Sequence, residues 1–112
     1  MLSRAGLAAL SLAASLSNAS AQPASLMAQQ EQGHQLVIQS CGVCHFKPQI
    51  NAQQFGPVLS KESAGGNETV MRETILNGTP RMPGFKYTFE PAQVDAIVAY
   101  LKTVPAPPPP AR

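Results

Sequence analysis

Cys41-Gly42-Val43-Cys44-His45 decides how this chain is read. Two cysteines three residues apart, followed at once by a histidine, form the C-x-x-C-H pattern of covalent c-type haem attachment. The spacing has a physical basis. One helical turn brings both thiols to one side, where each can form a thioether to a haem vinyl group. The next residue then turns its imidazole toward the iron, and small Gly42 leaves room for the flat ring. Three other uses of these residues compete. A thioredoxin-like dithiol accompanies a βαβ pattern, and no strand pattern is apparent. A structural zinc site wants four ligands; the chain offers Cys41, Cys44, His45 and a distant His34, two turns away on the same helix. A plain disulfide is strained, because a helical turn does not orient i, i+3 Cβ atoms for it.

Upstream of the motif, Gly33, Val37, Cys41 and Cys44 fall on one helical face, which predicts a first helix over about 26–44. Downstream, Pro48, Gly56, Pro57, Gly65 and Gly66 punctuate a loop over 46–66. So long a loop in a compact domain needs a task, and wrapping a flat cofactor is one. A second helix is predicted over 68–77, with Asn67 as its N-cap, Glu68 and Arg72 as an i, i+4 pair and a left-handed Gly78 as its end. A second loop follows over 79–88. A third helix starts at Pro91; Val94, Ile97, Val98 and Leu101 mark its apolar face, and Pro105 stops it. Residues 105–112 hold five prolines and read as a disordered or polyproline II tail.

Arg81-Met82-Pro83-Gly84-Phe85 is the second signal. A histidine-bound haem iron used for electron transfer takes methionine as a sixth ligand in cytochromes c, which raises its potential. The ordinary use of a methionine is to fill gaps in a core, and Met27 and Met71, each within a predicted helix, fit that use. Met82 differs. It sits in a loop between Pro80 and Pro83, whose stiff backbone presents a side chain at a fixed distance, and Phe85 follows as a cover for the haem. His34 is the alternative nitrogen ligand, on the helix that leads to the proximal side.

The 112 residues allow one domain. Arg4, the apolar stretch 5–16 and Ala19-Ser20-Ala21 predict a secretory signal over residues 1–21, with cleavage before Gln22. The apolar stretch falls short of the ~20 residues a membrane span needs, so no span is expected in the mature chain. The formal net charge of +2, with no basic cluster, excludes a nucleic-acid footprint. The mature chain is short for a self-sufficient core and has no Trp. A haem would complete that core.

Taken together, these residues resemble the class I, Met-ligated bacterial cytochromes c over about residues 30–103. The resemblance implies an all-α cytochrome c fold: about three helices and long loops around one covalent haem c, in a domain spanning 22–104. It implies that Gly33 and Val37 pack on Ile97 and Tyr100 where the first and last helices cross. Gly56-Pro57-Val58-Leu59 is similar to the family's Gly-Pro-x-Leu segment. By that likeness the Pro57 carbonyl accepts a hydrogen bond from His45, and Leu59 lines the haem pocket. Asn77-Gly78 with Met82-Pro83 is similar to the family's Met loop. The chain departs from the family in having Val37 in place of an aromatic and no Trp for a haem propionate, which leaves Arg81 and Tyr87 as candidate donors.

The function expected is single-electron transfer in the periplasm or outside the cell, as a monomer, with a dehydrogenase, an oxidase or a membrane complex as redox partner. Lys47, Arg81 and Lys86 would give the haem edge a local positive rim. Two alternatives stay open: a haem peroxidase or gas-binding protein with an open distal site, and a fixed accessory subunit of a larger enzyme.

Overall fold

The apolar spacing that ends in the Cys41 motif becomes one continuous helical rod in the computed structural model, which describes residues 21–109. Helix α1 runs Ala21–Leu36, a π-helical turn spans Val37–Cys41, and α2 covers Gly42–His45. The rod starts five residues before the first helix expected from sequence, and the π turn was not foreseen. Such turns insert one extra residue into the helical path and concentrate at functional sites; here it ends on Cys41. The predicted leader lies, save for Ala21, outside the described residues, as do the last three residues of the Pro-rich tail.

Helix α3, Glu68–Asn77, is capped by the Asn67 side chain, which accepts from the Val70 N–H at 3.1 Å. Gly78 closes it at φ 71°, ψ −168°. This is not the left-handed helical conformation expected but the mirror of the extended region, open essentially to glycine alone. Helix α4, Pro91–Leu101, opens with a capping box between Glu90 and Gln93 and carries Pro91 in its first turn. No strand occurs among the described residues; the only ladder-type pairing is an isolated bridge between Thr79 and Met82. Among the described residues the all-α architecture is therefore three α-helical bodies joined by long loops, the first loop carrying a short 3-10 turn at Ser63–Gly66.

Helices α1 and α4 cross closely. A Cβ on Gly33 would stand 1.9 Å from the Ala96 carbonyl oxygen and 2.9 Å from the Tyr100 Cβ. Only a residue without a side chain permits that approach. Around the crossing, Val37, Val94, Ile97, Val98 and Leu101 are buried with Met71, Ile75 and Phe89 in one core. Each such side chain contributes roughly 1.5–3 kcal/mol. The His34 ring lies on Tyr100, centroids 4.8 Å apart, on the outer side of the crossing. On the surface, Arg72 Nε donates to Asp95 at 2.7 Å and Lys102 pairs with Glu68, joining α3 to α4.

Candidate haem site

The end of the helical rod, the loop after it and the loop after α3 enclose one cavity of about 640 Å³. Cys41, Cys44 and His45 form part of its wall, and Pro57, Leu59, Arg81, Met82 and Phe85 stand in the same wall. Both thiols are unbridged. Burial, and then the neighbouring Cys44, push the Cys41 thiol up from its ordinary range.

His45 is held by backbone on several sides. Its Nδ1 lies 2.8 Å from the Pro57 carbonyl oxygen. The Gln54 amide donates to the carbonyls of both His45 and Gly56, at 2.9 and 2.8 Å. The Gly56 N–H reaches Cys44 O at 2.6 Å. A Cβ at position 56 would lie 2.8 Å from His45 Nδ1 and 2.9 Å from its Cε1, so glycine is what lets the loop run against the imidazole. Gln54 was missed by the sequence reading, and nothing in its local pattern distinguishes it from the other polar residues of an irregular loop.

Met82 is fixed just as closely. Thr79 N–H donates to Met82 O at 2.8 Å and Met82 N–H to Thr79 O at 3.2 Å, a tight turn with Pro80 at its second position. Phe85 N–H and Lys86 N–H then bond the carbonyls of Ile75 and Leu76, at 2.9 and 3.1 Å. The Met loop thereby satisfies the free carbonyls at the end of α3. Phe85 stacks on Phe89 with centroids 5.2 Å apart.

Several expectations need correction. Met27 is no core filler: it is 69% exposed, because α1 presents it to solvent beyond the crossing. Met71 is buried as expected but also lines the cavity, which makes it the second methionine within the site. Tyr87 is 92% exposed and outside the cavity wall, with Lys86 over its ring. Of Lys47, Arg81 and Lys86, only Arg81 lines the cavity, its guanidinium 5.0 Å from the centroid of the Phe55 ring. Lys47 and Lys86 stand outside the cavity wall. Instead, Val43, Phe55 and Val58 line the cavity while themselves exposed. Sequence reading also passed over Ser60, buried in the wall between Leu59 and Ser63.

The donor set fits a covalent tetrapyrrole and not the competing uses. Two thiols, an imidazole with one nitrogen already engaged, and a thioether meet on a mostly apolar cavity of ligand size. Among the described residues no group of three or more His, Cys, Asp or Glu side chains converges as a metal cluster. His34 lies instead in a separate shallow groove with Met27, Glu31 and Tyr100. No helix among those residues is long and apolar enough to cross a membrane.

Comparison with known proteins agrees. The family model described as cytochrome c oxidase, cbb3-type, subunit III matches residues 28–101. A dihydro-haem d1 dehydrogenase of Pseudomonas aeruginosa is 37% identical over 76 residues, covering 65% of this chain and 15% of that protein. The chain thus spans a small part of the length of this relative. No solved structure matches. The chain belongs to the cytochrome c family that this model describes, its cofactor is covalent haem c with iron, and the match supports haem-based electron transfer.

Proposed function

We propose that the chain is a single-haem electron carrier of the class I type, with haem attached through Cys41 and Cys44 and the iron held by His45 and Met82. The observation that carries this reading is the meeting of these four side chains, from two separate parts of the chain, on one apolar cavity. Bound haem supplies a one-electron iron couple. Cys41 and Cys44 would hold the haem covalently, each thiol as a thioether to one vinyl group. Nδ1 of His45 donates to Pro57 and leaves Nε2 as the ligand nitrogen, oriented by its hydrogen-bonded partner. Met82 would supply the second iron ligand from its turn, and Leu59 and Phe85 would present apolar wall to the ring. Arg81 supplies a cation at the wall for a propionate carboxylate.

The predicted leader supports a periplasmic or secreted location, with a dehydrogenase, oxidase or membrane complex as donor or acceptor. Attachment to a larger enzyme is the second reading. It is favoured by the exposed apolar side chains Val43, Phe55 and Val58 at the cavity, and Ile50 nearby in sequence. The family's name is that of an oxidase subunit and the relative's that of a dehydrogenase, which supports work beside an oxidoreductase. Absorption spectra of the purified protein, oxidised and reduced, test the main reading. A six-coordinate low-spin haem that does not take up carbon monoxide when reduced is expected. An open, high-spin iron would overturn it.

A further inference from the structure

After α4 the chain does not leave the molecule. The Lys61 N–H donates to the Val104 carbonyl at 2.9 Å, tying the end of the helix to the loop beyond Leu59. Val104 and Ala106 are half-buried, and Pro107, its outer side exposed, stands in the wall of the haem cavity that Leu101 also lines. We propose that residues 104–107 are a fixed strap of the cofactor site, so that the Pro-rich segment sets how much water reaches the haem. This rests on the cavity being the haem site.

The physical case is one of stiffness and charge. Proline locks φ near −65° and has no N–H to leave unpaired. A proline-rich run is a semi-rigid spacer that has little conformational entropy to lose on docking. Anchored at Val104, such a run carries Pro107 along a set course, where a Gly/Ser chain would wander. At the cavity it offers apolar ring atoms and a carbonyl that can face solvent. Excluding water there disfavours the oxidised iron, which carries one more positive charge, so burial is a lever that raises the reduction potential.

Two variants of the haem-loaded protein test the strap. One ends after Pro105, keeping the Lys61–Val104 bond. The other keeps full length but replaces Pro105 and Pro107–Pro110 with Gly and Ser. Both are expected to retain a haem-stained band on denaturing electrophoresis, a lower midpoint potential and a lower thermal midpoint, the truncation more than the flexible tail. Should the truncation fail to mature, the Gly/Ser variant alone reads the same two shifts. Stained protein with unchanged potential and unchanged thermal midpoint would overturn the proposal while leaving the haem site intact. Absence of stain in the unaltered chain would instead sink the attachment reading.

Discussion

Nδ1 of His45 stands 2.8 Å from the carbonyl oxygen of Pro57, twelve residues further along the chain. A carbonyl only accepts, so this nitrogen carries the proton and donates it, and Nε2 is left with its lone pair. The tautomer of the proposed iron ligand is thus set by the backbone of a loop. That loop is in turn pinned to the motif by Gly56 N–H on Cys44 O and by the two bonds of Gln54.

Gly56→Ala tests this relationship. The new Cβ falls within 3 Å of two imidazole atoms and 3.1 Å from Cys44 O. The ring must move or the loop must lift, at a cost of about 1–3 kcal/mol. We expect a reduced denaturant midpoint together with a shifted potential, measured on the haem-loaded variant. A wild-type potential would show that the ring does not depend on the loop.

Replacing Cys41 and Cys44 together by Ala should leave no cooperatively folded protein. The cavity of about 640 Å³ borders core residues Met71, Ile75 and Leu101, and without attached haem this part of the core has nothing to pack against. Binding free energy then becomes folding free energy, as with structural metals. A sharp thermal transition in the haem-free variant contradicts this.

Partner association should depend little on ionic strength. Salt screens exposed charges over ~8 Å at physiological strength. At the cavity, however, Arg81 is the one residue of the expected basic rim, set beside exposed Val43, Phe55 and Val58. Transfer rates to a redox partner, followed across a salt series, check it; a steep decline would restore a charge-steered interface.

Acid should loosen the α3–α4 junction through Glu68. Its carboxyl is held below the usual range by the hydrogen bond and charge of Lys102, with Arg72 adding to both. A carboxylate with a depressed folded-state pKa contributes stability above its unfolded pKa. That contribution fades as pH falls from the ordinary carboxylate range through the lower folded value. Glu68→Gln should therefore flatten the acid limb of the stability–pH curve and lower stability slightly at pH 7, since the pair lies at the surface, where solvent screens it. Denaturant titrations from pH 7 to pH 3 decide it; an unchanged acid limb would remove Glu68 from the account.

The second and third helices and their N-terminal residues Asn67 and Pro91 were legible because they rest on local rules. Asn67 caps α3 with the very N–H its side chain can reach, and the apolar period of α4 buries Val94, Ile97, Val98 and Leu101. What escaped depends on where distant segments meet. The π turn at 37–41 has no pattern of its own. Gln54 acts only because its loop folds back on His45. Tyr87 and Met27 look like site and core residues in sequence, yet the Met loop and the α1–α4 crossing turn them to solvent. Pro107 reaches the cavity only through the anchor between Lys61 and Val104.

The identity of the sixth ligand tests the central claim most directly, because Met71 and Met82 both line the cavity. Met71 is buried in α3 among core residues, whereas Met82 sits in a turn bonded at both its N–H and its carbonyl. The measurement is the weak sulfur-to-iron charge-transfer band at the red edge of the oxidised spectrum, in Met82→Ala and in Met71→Leu. The band should vanish in Met82→Ala, with a lower potential and new binding of carbon monoxide, and should persist in Met71→Leu. A band that survives Met82→Ala, or that is lost in Met71→Leu, contradicts the account.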